Sequence, residues 1–415
     1  VVTAGWDMAD RLADQGRLVE LAARTRSELE GDLMPFWLEH AADGEGLTAY
    51  LSNDLVPDHR ASRGLVLHAR YLWTFSALYQ AYGQAQWLGL AGRALDYLQR
   101  HFWDAQYGGY LWELDADGRC LDGHKKIYGQ AFGIYALAQF YQATGRKEAL
   151  DTVRSIWDLI ETHSHDPLHG GYVEVCNRDW AIAAGCRLSE KDQVEPKSMN
   201  THLHLLEAYT GLYRIWRDDA VRSRLEGLID IFTDRIYNPK TGHLDHFFDL
   251  CWQRRSDNYT FGHEIEASWL LWDAVDTIGD PNRAASLRPF VIQLADSVLQ
   301  QGLDRELGGL YYEGRAGTIT DPSRQWWPQA EAVVGFLNAY MLTGRDAFLD
   351  AAYSVWSFIE RHLVDRRYGE WFWQTDGQGR PDHGMPKVCA WKGPYHTVRC
   401  CLEVIRRIDD MEGWQ

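Results

Sequence analysis

Nowhere in its 415 residues does the chain hold an apolar run of about 18 residues, the least that a bilayer-spanning helix needs. Its start, Val1-Val2-Thr3-Ala4-Gly5-Trp6-Asp7, lacks the basic stretch and apolar core of an export signal, so neither spanning nor secretion is expected. Positive charge is short as well. Lys and Arg number 42 against 59 Asp and Glu, a net charge of −17, which repels nucleic acid and anionic membrane and favours a neutral ligand. The seven cysteines, at 120, 176, 186, 251, 389, 400 and 401, are odd in number, form no CxxC, and end in an adjacent pair that bridges poorly. A reducing, cytoplasmic setting is the expectation, and no zinc motif is present.

Aromatic side chains, by contrast, are plentiful: 19 Trp and 21 Tyr. Most must fill core, but flat rings are also what proteins use to stack on sugar faces. Six apolar, helix-like runs each open with a polar or aromatic cluster. The openings are Arg63-Gly64-Leu65-Val66-Leu67-His68-Ala69-Arg70, Tyr128-Gly129-Gln130-Ala131-Phe132, Asn200-Thr201-His202-Leu203-His204, Phe261-Gly262-His263-Glu264-Ile265-Glu266, Trp326-Trp327-Pro328-Gln329-Ala330-Glu331 and Trp391-Lys392-Gly393-Pro394-Tyr395-His396.

These runs are apolar nearly all round, as in Tyr128 to Gln142, which demands burial on most sides. Gly83, Gly145, Gly279 and Gly344 stand at the C-terminal stops of four of them. Each is followed by an amphipathic helix, such as Glu148 to Thr162 or Phe348 to Arg361, and then by a glycine turn into an aromatic, strand-like segment. Glycines 108, 170, 242, 308 and 369 mark that turn at steps of 62, 72, 66 and 61 residues. With Arg11 to His40 as an outer helix, the repeat predicts an all-α fold. It is an (α/α)6 barrel of six helical hairpins, with short β-hairpin loops at one rim, as one domain over 1–415. All six inner helices then start at the same rim, so the polar clusters converge and their positive ends favour a developing oxyanion.

On a helix, Asn200 and His204, His263 and Glu266, and Trp327 and Glu331 each share a face, whereas His202 and His204 diverge. Three histidines at one rim, His204, His263 and His396, suit proton transfer near neutral pH. Arg70 is placed to hold an enolate or alkoxide oxygen and also to pair with Glu266 or Glu331, two readings that are compatible. Trp327 and Trp391 are candidate platforms for pyranose rings, with plain packing as the alternative.

On Lys197-Ser198-Met199-Asn200-Thr201-His202-Leu203-His204 and the openings at 261, 326 and 391, the chain resembles the N-acylglucosamine 2-epimerase superfamily over nearly its whole length. Within that superfamily it is most similar to the cellobiose 2-epimerases. The resemblance implies an acid/base pair, His263 and His396, that moves the C2 proton of a reducing sugar, assisted by His204. It implies a sugar pocket lined or supported by Arg70, Tyr128, Asn200, Glu266, Trp327, Glu331 and Trp391, with no cofactor and no metal. The implied reaction inverts C2 of the reducing-end aldose of a disaccharide, after ring opening, through a cis-enediolate. Related branches act on free mannose, epimerising it to glucose or isomerising it to fructose, and that alternative stays open, as does monomer versus homodimer. The chain departs from the family pattern at His68, Glu264 and Thr397, three places where the pocket would differ. Two rivals remain: an inverting glycoside hydrolase using Glu266 and Glu331, which needs carboxylates about 6.5–9.5 Å apart, and a sugar-binding protein without catalysis.

Overall fold

The computed structural model describes residues 8–190 and 192–412. Twelve helices among them alternate between an inner and an outer ring. The inner ring is Leu65–Tyr82, Ile127–Thr144, Met199–Ile215, Phe261–Ile278, Trp326–Thr343 and Tyr395–Glu412. Each packs on the next in that order, and the last packs on the first, which closes the barrel. The outer ring is 8–40, Ala85–Tyr97, Lys147–His163, Asp219–Ile231, Pro281–Ser297 and Asp346–Phe358.

The division follows from the hydrophobic pattern. Every residue from Leu65 to Leu78 is buried, so that helix has neighbours on all sides. Lys147–His163 buries only Ala149, Val153, Ile156 and Ile160, one stripe on an otherwise solvated helix. Four inner helices stop at Gly83, Gly145, Gly279 and Gly344, whose φ of 67° to 75° is the left-handed conformation that glycine adopts without a Cβ penalty. Among the described residues, no helix is long and apolar enough to cross a membrane, and all seven cysteines are free thiols.

The strands are shorter than the sequence suggests and do more than form local hairpins. Arg63–Gly64 pairs with Glu113–Leu114, Lys125–Lys126 with Val175–Cys176, and Lys197–Ser198 with Phe247–Phe248. Asn258–Thr260 and Arg324–Gln325 pair likewise with Glu313–Arg315 and Gln374–Thr375. Each ladder therefore ties the residues just before an inner helix to the loop of the next repeat. Buried ion pairs reinforce the same seam: Lys125 with Asp104 at 3.0 Å, Lys197 with Asp166 at 2.8 Å, Lys387 with Asp365 at 2.8 Å, and Arg324 with Asp304. Each of these acids opens a glycine turn, where its carboxylate also accepts backbone N–H groups, as Asp104 does from Gln106 at 3.1 Å. Burying such charges costs several kcal/mol unless both partners stay, so the pairs fix geometry more than they add stability.

Among the described residues, four π-turns that no sequence pattern announced carry the chain out of outer helices, Leu98–Phe102, Phe232–Ile236, Val298–Gly302 and Ile359–Leu363, and a fifth, Leu29–Leu33, lies within 8–40. Where the ends of the chain meet, two indoles close the ring. Trp37 Nε1 donates to Glu370 Oε2 at 2.7 Å, and Trp371 Nε1 donates to Glu28 Oε1 at 2.9 Å.

Candidate active site

The six inner-helix starts surround a cavity of about 500 Å³ at one rim. Of the ten residues singled out by sequence, nine line it: Arg70, Tyr128, Asn200, His204, His263, Glu266, Trp327, Trp391 and His396. Glu331 sits behind the wall instead, buried against His396. Three polar atoms of this lining are buried without a hydrogen-bond partner, Asn200 Oδ1, Arg70 Nε and Trp326 Nε1, which leaves donor and acceptor capacity for a hydroxylated ligand.

The three histidines are held in different ways. His204 Nδ1 meets Glu207 Oε2 at 2.9 Å, and His396 Nδ1 meets Glu331 Oε1 at 2.6 Å. An ionised carboxylate only accepts, so opposite one a ring carries its proton on Nδ1 and leaves Nε2 as the basic nitrogen. His263 has no carboxylate. Its Nδ1 lies 2.5 Å from the Thr260 hydroxyl, which stands 3.4 Å from His246 Nε2. Burial holds all three rings below the ordinary histidine value, His263 and His396 well below it; neighbouring rings add to this at His263, Arg70 and Arg399 at His396. All three are therefore neutral bases at neutral pH.

A layer that sequence reading missed lies under the cavity. Arg399, fully buried, contacts three glutamates: Nη1 reaches Glu207, and Nη2 reaches Glu266 Oε1 at 2.9 Å and Glu331 Oε1 at 2.6 Å. Burial and the Glu331 charge push the Glu266 carboxyl well above the usual carboxylate range, against the pull of Arg399. Burial alone would raise Glu207 too, but Arg399 and His204 bring it down to about 2. The oxygens of Glu266 and Glu331 and a nitrogen of His396 lie within 4.8 Å of one another, close enough to suggest a cation site. The Arg399 guanidinium already supplies positive charge to both carboxylates, so the donor set does not call for a metal.

Arg70 corrects one expectation. Among the described residues it pairs with no carboxylate; it donates to Trp391 O at 2.7 Å and to Tyr128 Oη at 3.2 Å. Arg399 holds Glu266 and Glu331 in its place. His202 points into the wall, where its Nε2 accepts from Tyr172 N at 3.0 Å. The three departures also face away from the cavity. His68 stacks on Tyr97 with ring centroids 5.0 Å apart, Glu264 accepts from His243 Nδ1 at 2.8 Å, and Thr397 donates to Pro394 O at 3.2 Å. None of the three lines the cavity.

Trp327 lies between two of the histidines, its ring centroid 4.7 Å from His263 and 5.8 Å from His396. The loop residues Leu188, Ser189, Glu190 and Asp192 also line the cavity, as do Tyr312 and Trp373 from the aromatic segments after the glycine turns. Polar loop residues give no periodic signal, whereas the two aromatic segments were visible but not placed.

The family model for N-acylglucosamine 2-epimerase (GlcNAc 2-epimerase) matches residues 46–400. A cellobiose 2-epimerase of Bacteroides fragilis is 41% identical over 390 residues, covering 93% of this chain and 98% of that protein. The solved structure of cellobiose 2-epimerase from Spirochaeta thermophila superposes with a TM-score of 0.89 at 39% identity, covering 95% of this chain and 98% of that one. More distant is a D-mannose isomerase of Marinomonas mediterranea, 26% identical over 393 residues, 90% of this chain and 95% of that protein. The chain belongs to the N-acylglucosamine 2-epimerase family, whose members are carbohydrate epimerases and isomerases.

Proposed function

We propose that the protein inverts C2 of the reducing-end aldose of a disaccharide of the cellobiose or lactose type, turning a glucose unit into a mannose unit. The observation that carries this reading is three neutral imidazoles, His204, His263 and His396, facing one cavity beside Arg70 and two tryptophans. The pyranose opens to its aldehyde with a histidine moving the proton. One imidazole of the His263/His396 pair then removes the C2 proton, a very weak acid in water, and the charge passes to the oxygens of a cis-enediolate. Arg70 and the positive ends of the inner helices stabilise that charge in a site arranged before the reaction begins. The other imidazole returns a proton to the opposite face of C2. His204 positions the sugar, Asn200 and Tyr128 hold hydroxyls, and Trp327 and Trp391 stack on ring faces. Glu266 and Glu331 support the histidines.

The 41% identity to a cellobiose 2-epimerase favours a disaccharide over the mannose-directed reading, whose relative stands at 26%. Proton return to C1 of the same enediolate would give a ketose, so isomerase activity needs no different residues. Glycoside hydrolysis is disfavoured: Glu266 and Glu331 approach within 4.8 Å and share one guanidinium, leaving no room for a water across a scissile bond. Incubation with cellobiose, lactose, mannose and glucose in turn, with separation of the products, tests the reading. A 2-epimer from the disaccharides supports it. Conversion of mannose alone would move the protein to the mannose branch, and released monosaccharide would make it a hydrolase.

A further inference from the structure

Two of the three cavity histidines are tied to the same buried cation, and the third is not. Arg399 is 1% exposed and stands on the last inner helix, three residues after His396. Its two terminal nitrogens divide the work. Nη1 contacts Glu207, whose other oxygen, Oε2, holds His204 Nδ1 at 2.9 Å. Nη2 contacts Glu331 Oε1 at 2.6 Å, and that same oxygen holds His396 Nδ1 at 2.6 Å. Tyr395 Oη joins the cluster, in contact with both Glu207 and Arg399. Trp269 Nε1 donates to Glu331 Oε2 at 3.1 Å, and the Arg399 guanidinium lies 5.0 Å from the Trp269 ring centroid. The planar fork of a guanidinium can serve two carboxylates in fixed directions at once; an ammonium cannot.

We infer that Arg399 is a positioning residue that locks His204 and His396 in one tautomer, Nδ1–H with Nε2 free, through Glu207 and Glu331. This deepens the epimerase reading and rests on it. Without the guanidinium, three carboxylates stand together in a dry layer, and the cheapest relief is protonation of Glu207 or Glu331. A protonated carboxyl turns from acceptor to donor. The neutral histidine above it then accepts a hydrogen bond from that carboxyl at Nδ1 and carries its single proton on Nε2, pointing at the sugar, where it is no longer a base. His263, held by Thr260 rather than by a carboxylate, is untouched by this change. The groups facing the pair are Arg70 and Arg399 as cations, Glu207, Glu266 and Glu331 as carboxyls, the His263 ring, and the Tyr128 and Tyr395 phenols.

The test is Arg399→Gln and Arg399→Lys, measured on cellobiose with circular dichroism as the folding check. Arg399→Gln is expected to lower kcat at least 100-fold with KM within threefold, and to change the acid limb of the kcat/KM profile. Arg399→Lys keeps the charge but loses the fork, and should recover less than a tenth of the wild-type kcat. A folded Arg399→Gln with kcat and pH profile within twofold of wild type overturns the inference. Should Arg399→Gln fail to fold, nitrogen-15 NMR of histidine-labelled wild type decides. Nδ1–H in both His204 and His396, each signal assigned by its loss in the His204→Gln or His396→Gln variant, supports the lock; Nε2–H in either overturns it. Failure of the epimerase reading would look different: wild type itself would form no 2-epimer from any aldose.

Discussion

Nδ1 of His396 lies 2.6 Å from Oε1 of Glu331, a residue 65 positions earlier on the neighbouring inner helix. That contact orients the imidazole and gives any imidazolium formed on it a counter-charge, the arrangement a proton-transfer histidine needs. Glu331→Gln replaces one acceptor oxygen with an amide and removes the charge while keeping the shape. We expect kcat for C2 inversion to fall by about 100-fold, with KM little changed, since Glu331 does not line the cavity. Steady-state kinetics on cellobiose checks this, and a KM effect without a kcat effect would contradict it.

The hydroxyl of Thr260, 2.5 Å from His263 Nδ1, is the only polar group holding that ring among the described residues. Thr260→Val keeps the volume and removes the partner. A kcat lowered by about tenfold, from loss of a fixed tautomer, is expected with unchanged thermal stability to within about 1 kcal/mol. Equal kcat in the two proteins would show that Thr260 plays no part.

His68 provides a test separate from activity. Burial drives its value from 6.5 down to about 4, so the folded state resists a proton that the unfolded chain accepts. The folded value is depressed, and the unfolded chain therefore binds more protons below pH 6.5. Stability should fall as pH drops from 6.5 toward 4, by roughly 3 kcal/mol from this group alone. His68→Asn removes that share. Urea unfolding at pH 7 and pH 5 should show a smaller acid loss in the variant, with activity retained because the ring faces Tyr97 and not the cavity.

Lys125 and Asp104 are fully buried side chains that join a glycine turn to the strand before the second inner helix. Lys125→Ala leaves Asp104 with Arg178 alone, at 2.8 Å. A loss of about 3 kcal/mol is expected, the lower end for breaking a buried pair because one cation remains. Denaturant unfolding measures it.

The barrel was legible because inner helices such as Leu65–Tyr82 are apolar nearly all round and outer ones such as Lys147–His163 on a single stripe, and because glycine stops recur. The cavity lining was legible because its residues sit in the first turns of those inner helices, where one-rim geometry alone brings them together. Arg399 and Glu207 were not. Each stands three residues after a cavity histidine, as Glu266 does after His263, yet the contact that joins them crosses between helices, 192 positions apart in sequence. A lone charge in an apolar helix gives its burial away but not its partner. The same holds for Lys125 and Asp104, on either side of a loop. The reading that pairs Arg70 with Glu266 or Glu331 failed for the same reason: sequence does not show that Arg399 on the last inner helix reaches both carboxylates.

The most direct test is to incubate wild-type protein with cellobiose in heavy water and follow C2 of the reducing unit by NMR and mass spectrometry. The account predicts one deuterium at C2, formed together with the 2-epimer, and loss of both in His263→Ala and His396→Ala. Epimer or exchange surviving in those variants, or no deuterium at C2 from any aldose with wild type, would contradict it.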